Sequence, residues 1–202
     1  KIINAYALRL PPILAHRNRI TYLTDRLHGE VRRTASSGHR TKIYNLGCGP
    51  AQEIQGFVAE SELCEQALFT LLDFNDETLM HLGQTLDGIK RRRGRRPHID
   101  LKKKSVHQIL KEAGKFVQGG NGDRFDFAYC AGLFDYLSDK VCRQLVDILY
   151  QQLAPGGLLI VTNADVHPSK GEMECFLEWH LVYRDTSQMA ELIPAQVSRD
   201  SV

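Results

Sequence analysis

The sequence predicts a doubly wound α/β fold: a mostly parallel sheet with helices on both faces and a helical cap at the N-terminus. Three observations carry this expectation. Apolar runs of strand length alternate with stretches of helical periodicity from Thr41 to Thr162. The runs are nearly continuous in apolar character, as strands buried on both faces require. The first run breaks into the turn Gly47-Cys48-Gly49-Pro50-Ala51 ahead of a helix, and the second ends in the carboxylate of Asp73.

The elements follow in order. Ile13, Ile20, Leu23, Leu27 and Val31 recur at helical spacing behind Pro11-Pro12, which predicts a helix over about 13–33. Ser36-Ser37-Gly38 ends it, so 1–37 reads as the cap and 38–202 as the main domain. Strand 42–46 leads through the glycine turn to a helix bearing Ile54, Phe57 and Val58, and strand 67–72 follows. Asn75 suits a helix N-cap, with Asp76 and Glu77 in the first turn and Leu79, Leu82 and Leu86 as the apolar stripe. A basic loop leads to a short strand near His98 to Leu101, and Ser105 caps a helix with Val106, Ile109, Leu110 and Ala113 on one face. Gly119 to Asp123 reads as a turn and Phe125 to Ala131 as the fourth strand. Ser138 caps a helix bearing Val141, Leu145, Ile148, Leu149 and Leu153; Pro155-Gly156-Gly157 ends it, and Leu158 to Thr162 is the fifth strand. A polar loop, 163–171, precedes an amphipathic helix over 172–184, marked by Met173, Phe176, Leu177, His180 and Leu181.

Bulk properties narrow the class. With 202 residues, 43% apolar and 25% charged, the chain supports one ordinary globular domain. No apolar stretch approaches the ~20 residues of a membrane span, and the first residues carry no secretory signal. The chain opens on Lys1 rather than Met, which reads as an excised domain or missing terminal residues. Five cysteines without a C-x-x-C pair fit a reduced, cytoplasmic setting, and the scattered histidines give no metal-site spacing. Net charge is +2, yet Lys90 to Lys104 holds nine basic residues and one acid, leaving the remainder mildly acidic.

Ligands of doubly wound sheets sit beyond the carboxyl ends of the strands. One rim therefore gathers Asn45 and Gly47 to Ala51, Asp73-Phe74-Asn75, Ser105-Val106, and Cys130-Ala131-Gly132. Glycines there let backbone approach a nucleoside, and Asp73 can take both ribose hydroxyls. Two cofactors use such a pocket: a nicotinamide dinucleotide and S-adenosylmethionine. The dinucleotide fingerprint wants a third glycine where this chain has Gln52, and Pro50 removes a backbone donor that a phosphate needs. S-Adenosylmethionine carries no phosphate.

On Asn45 to Ala51, Asp73, the strand 125–130 and Leu153-Ala154-Pro155-Gly156-Gly157 followed by Leu158 to Val161, the chain resembles the class I, Rossmann-like, S-adenosylmethionine-dependent methyltransferases. The match spans about 42–163. That family often has an acid where this chain has Asn45, and it ends in an antiparallel hairpin of which 193–202 supplies one strand at best. More narrowly, Tyr129 to Asp139, Asn163 with His167-Pro168-Ser169, and Leu177 to Arg184 are similar to bacterial enzymes that make 3-hydroxypalmitic acid methyl ester.

The resemblance implies site roles. Gly47, Cys48 and Gly49 lie under the methionine part of the cofactor, Ser105 and Val106 flank adenine, and Cys130 to Gly132 face the cofactor. Asp135, Tyr136 and His167 stand on the acceptor side, where the helix 172–184 closes. Arg17 and Arg19 are either partners of the methionine carboxylate or solvated charges. No metal is required. Three functional readings follow: transfer of a methyl group to a small molecule, including the carboxylate of a 3-hydroxy fatty acid; methylation of RNA through the basic loop 90–104; and a non-catalytic S-adenosylmethionine-binding domain. A dehydrogenase is a further, less favoured alternative. The product in the first two cases is S-adenosylhomocysteine. The sequence sets no oligomeric state.

Overall fold

The computed structural model describes residues 11–118 and 124–198, with the side chains of 113–118, 176 and 177 left aside. The turn expected at 119–123 and the face position of Ala113 lie outside the described residues. Five strands form one parallel sheet in the order β3-β2-β1-β4-β5: β1 Thr41–Leu46, β2 Ala67–Asp73, β3 His98–Lys103, β4 Phe125–Ala131 and β5 Leu153–Thr162. The helices are α1 Pro11–Ala35, α2 Gln52–Glu60, α3 Asp76–Arg93, α4 Val106–Gln118, α5 Asp139–Gln151, α6 Lys170–Leu177 and α7 Thr186–Ala190. This is the doubly wound α/β fold that the alternation predicts. The chain steps outward from β1 to β3, then returns to the other side of β1 for β4 and β5. The strand order reverses at β1, the place where such sheets open a crevice.

Right-handed crossovers sort the helices onto two faces. Leu23, Leu27 and Val31 of α1, Ile54 and Phe57 of α2, and Leu82 and Leu86 of α3 share one core with Ile43, Phe69 and Phe127. Leu145, Val146 and Leu149 of α5 and Ile109 of α4 share the other with Tyr44, Leu46, Leu72, Ala128 and Cys130. The alternation along each strand is thus a division between two cores, so both sets are apolar. The α1 helix is fastened to the sheet at its end, where the Thr34 and Thr41 hydroxyls hydrogen-bond to each other.

Local signals set the element boundaries. Asn75 caps α3 through Oδ1, which accepts from the N–H groups of Glu77 and Thr78 at 2.9 and 3.1 Å. Gly94 ends α3 in the left-handed conformation, and Lys90 to Arg93 complement the dipole of its last turn. Ser105 and Gln108 form a reciprocal capping pair at α4. Ser138 stands at the N-cap of α5, but its hydroxyl makes no capping bond.

Four expectations are corrected. The basic stretch 90–104 is not a loop: it is the last turn of α3, a short connection and β3. Lys90, Lys102, Lys103 and Lys104 pair with Asp87, Asp100, Asp76 and Glu112, and Arg95 donates to the Val58 carbonyl. Pro155-Gly156-Gly157 does not precede β5 but lies within it, as an irregularity that moves the pairing from Phe125↔Leu153 to Phe127↔Leu158. The helix over 172–184 is only α6, stopped by Glu178 in the left-handed region at φ 49°. Beyond it residues 178–185 form no helix or strand, and Val182 N–H donates to Asp135 O, and Arg184 N–H to Ala164 O, at 2.7 and 3.0 Å. Residues 193–198 form no strand.

The irregularity in β5 demands glycine. A Cβ on Gly157 would lie 2.9 Å from the Ala154 carbonyl oxygen and 3.0 Å from that of Phe125, closer than real contacts permit. By contrast Gly29, inside α1, has open space around it. Gly157→Ala is expected to cost about 1–3 kcal/mol in urea unfolding, through forced backbone shifts. Gly29→Ala is expected to gain up to about 1 kcal/mol by helix propensity alone.

Candidate functional site

The end of β1 feeds three left-handed residues in alternation: Gly47 at φ 67°, Gly49 at φ 50° and Ala51 at φ 45°. Only this winding carries the chain from a central strand directly into α2. Gly47 also packs against Leu133, where a Cβ would come within 3.2 Å. The turn is tied to its neighbour strand by Asp73, which is 8% exposed. Asp73 Oδ2 accepts from Gly49 N–H at 2.9 Å and Oδ1 from Asn75 N–H at 3.0 Å. A carboxylate has about four acceptor positions, so two remain for ligand hydroxyls.

The turn's own donors are spent inside the protein. Cys48 N–H donates to Leu72 O, Gly49 N–H to Asp73, and Ala51 N–H to Cys48 O, while Pro50 has none. From Cys48 to Ala51 no backbone N–H is left for a phosphate.

A cavity of about 300 Å³ opens over this turn. The rim residues Asn45, Gly47, Cys48, Gly49, Asp73, Phe74, Val106, Ala131 and Gly132 line it together, as the sequence places them. Asn75, Ser105 and Cys130 do not line it: the first two side chains are engaged in helix caps, and Cys130 is fully buried in the α5-side core. Burial first pushes the Cys130 thiol far up, and burial, then Asp73 and Glu53, push that of Cys48 up to about 12. Neither is a nucleophile at neutral pH.

A second cavity, of about 750 Å³, adjoins the first. His16, Arg19, Gly132 and Tyr136 line both. Asp135, Tyr136 and His167 come together here, beside Tyr22, Val166, Met173, Trp179 and Leu181. Arg19 lies across the junction, and Gly132 at φ 93° makes room for it, since a Cβ there would stand 3.1 Å from Arg19 Nη1. Arg19 Nη2 donates to His16 Nδ1 at 2.9 Å. Burial, and then Arg19, hold the His16 pKa below its ordinary value, consistent with a neutral ring that accepts. Among the described residues no carboxylate lies within ion-pair distance of Arg19. Arg17 lines neither cavity.

Sequence reasoning assigned no role to two residues that organise this site. Arg184, 3% exposed, donates to Asp139 Oδ1, Asn163 Oδ1 and the carbonyls of Phe134 and Leu137, all within 2.6–2.9 Å. It thereby fixes the turn that carries Asp135 and Tyr136 against the end of β5. Asp135 Oδ1 in turn accepts from Ala164 N–H at 2.6 Å, and burial holds its carboxyl above the ordinary range. Trp179 Nε1 donates to Tyr136 Oη at 2.7 Å and orients that exposed ring. Glu53, in the first turn of α2, is 7% exposed in the wall of the smaller cavity. Its Oε1 accepts from Tyr129 Oη at 2.8 Å and Asn45 Nδ2 at 3.3 Å. Burial, the largest influence on it, raises its pKa. Arg184 had no signal beyond its place in a family-like stretch; a first-turn Glu on a buried helix was the only hint of Glu53.

Arg184→Leu removes a donor from four acceptors and is expected to cost about 3 kcal/mol in chemical unfolding. For Glu53 the linkage sign is opposite to that of a paired carboxylate. The folded state holds its proton more tightly than the unfolded state, so stability falls as pH rises from the ordinary value of 4.5 to the folded pKa. Glu53→Gln keeps the hydrogen-bonded shape without that loss. The thermal midpoint of this variant is expected to rise above wild type as pH increases from 4 to 8, whereas a paired, stabilising carboxylate would give the reverse.

No protein-family model matches the chain, nor does any curated protein. Solved structures do. A possible exported protein from Bordetella parapertussis superposes with TM-score 0.61 at 18% identity, over 92% of this chain and 62% of that one. An O-methyltransferase family protein from Burkholderia thailandensis gives TM-score 0.61 at 14% identity, over 89% of this chain and 49% of that one. Magnesium protoporphyrin IX methyltransferase from Synechocystis PCC 6803, solved with bound SAH, gives TM-score 0.57 at 10% identity, over 89% of this chain and 71% of that one. The chain thus spans about three fifths and one half, respectively, of the lengths of the first two proteins. No helix among the described residues is long and apolar enough to cross a membrane. At these identities the likeness is one of architecture, and the architecture is the Rossmann-like methyltransferase fold.

Proposed function

We propose that this chain is an S-adenosylmethionine-dependent methyltransferase that acts on a small-molecule acceptor. The observation that carries the reading is the glycine turn whose Cys48, Gly49 and Ala51 N–H groups are used internally, beside a buried carboxylate with acceptor capacity to spare. That combination fits a nucleoside and disfavours a dinucleotide's pyrophosphate. Asp73 would take the ribose hydroxyls, Val106 and Phe74 the base, and the Gly47 to Gly49 turn the methionine part. Bound there, the cofactor supplies a methyl group on a positively charged sulfur, which an acceptor nucleophile displaces in line, leaving S-adenosylhomocysteine.

The protein's main task is then alignment of two partners, which can remove about 7–11 kcal/mol of the barrier. The shared wall of the two cavities serves this, because Gly132 and Tyr136 face both. Apolar walls at Tyr22, Val166 and Leu181, with one guanidinium at the junction, suit an acceptor with an apolar body and a carboxylate head. A 3-hydroxy fatty acid has that form, in keeping with the narrower family resemblance. Arg19 would hold the carboxylate bidentately. A carboxylate, with a reference pKa of about 4, is already ionised at neutral pH and needs no general base. Asp135 and His167 would then shape the acceptor cavity rather than move a proton. The RNA reading has less support, since four of the nine basic residues in 90–104 are paired with acids and Arg95 holds a carbonyl.

Calorimetric titration is expected to show binding of S-adenosylhomocysteine and none of NAD, with Asp73→Asn weakening the former at least tenfold. Binding of NAD instead would contradict the reading. With S-adenosylmethionine and long-chain 3-hydroxy acids, Arg19→Ala is expected to raise the acceptor KM about tenfold or more, from the loss of a charge-assisted contact. An unchanged KM would remove Arg19 from acceptor binding.

A further inference from the structure

The sheet order lays the smaller cavity out as a line. Lys104 and Val106 stand at the β3 end, Asp73 at β2, the glycine turn and Asn45 at β1, and Ala131 and Gly132 at β4. A nucleoside whose ribose is on Asp73 and whose base is toward Val106 must send its 5′ substituent toward β1 and β4. Among the side chains that line that end is Glu53, from α2.

Three facts mark Glu53 as more than filling. It is a carboxyl buried to 7% exposure in a cavity wall, with no cation among the described residues within ion-pair distance. Its neighbours Tyr129 and Asn45, from β4 and β1, both donate to the same oxygen, Oε1, and so fix the carboxyl plane without neutralising it. Arg19, from α1, is the nearest cation that influences it, but it is turned to His16 and Gly132. Cys48, from the turn, is held as a neutral thiol. A buried carboxyl of this kind lowers stability unless a positive group arrives.

We propose that Glu53 is the receptor for the ammonium group of the cofactor's amino-acid part, held in place by Asn45 and Tyr129. This rests on the cofactor reading above and deepens it. In this chain the neutral Asn45 at the end of β1 serves as a support, and the negative charge comes from the following helix. An ammonium would supply the countercharge the carboxyl lacks and add a charge-assisted hydrogen bond to its donors. The pocket would thereby select an adenosyl ligand that carries an α-amino acid over one that does not.

The test compares two ligands on the same protein by calorimetry: S-adenosylhomocysteine, which has the ammonium, and 5′-methylthioadenosine, which has the same nucleoside and thioether but no amino acid. Wild type is expected to bind the first at least tenfold more tightly. Glu53→Gln, which preserves size and hydrogen-bonding shape, is expected to weaken S-adenosylhomocysteine about ten- to hundredfold and methylthioadenosine less than twofold. Glu53→Asp, which keeps the charge, is expected to recover part of the loss. Equal weakening of both ligands, or a loss under threefold for S-adenosylhomocysteine, would overturn the assignment and leave the cofactor reading standing. If wild type bound neither ligand, the cofactor reading itself would fall and the role of Glu53 with it. Thermal unfolding of both variants, expected at or above the wild-type midpoint for the Gln form near pH 8, separates a lost contact from a lost fold.

Discussion

The carboxylate of Asp73 is the interaction on which the site depends. A parallel sheet that winds outward from β1 in both directions leaves its central strand ends diverging. Something must hold the β1 turn beside the end of β2, and one side chain does so with both oxygens, through Gly49 and Asn75. Because the same carboxylate closes the turn and faces the cavity, shaping the pocket and offering acceptors to a ligand are one property. Backbone carbonyls take two more of the turn's donors, Cys48 N–H on Leu72 O and Ala51 N–H on Cys48 O.

The two halves of the site are built by different means. The smaller cavity comes largely from residues at strand ends and the turns directly after them, where the sheet's geometry sets their positions. The larger cavity depends on long-range ties. Arg184 reaches back across 45 to 50 positions to the turn between β4 and α5, and it is fully buried doing so. The clamp adds to the bonds that Asp135 receives from Ala164 and Val182 and Tyr136 from Trp179.

This contrast explains what the sequence made legible. Strand ends, the glycine turn, Asp73 and the Asn75 cap are written in local patterns, and the structure finds them where those patterns point. The Pro155-Gly156-Gly157 segment carries a local stop signal, yet pairing with β4 absorbs it as an irregularity on the outermost strand, where proline is tolerated. The apolar spacing of 172–184 imitates a helix, but in its second half Val182 and Arg184 spend their backbone N–H groups on Asp135 and Ala164 instead of on a helix. Charge density alone suggested a basic loop in 90–104, although most of that charge belongs to a helix end and a strand. Arg184, Glu53 and His16 were illegible because their meaning lies in which distant residues they meet.

The most direct measurement is a crystal structure of the chain with S-adenosylhomocysteine. The account predicts the ribose hydroxyls on the carboxylate of Asp73, the base toward Val106, and the Gly49 N–H bond to Asp73 unbroken. A ligand lodged elsewhere, or a turn that releases its backbone donors to meet it, would contradict the account at its centre.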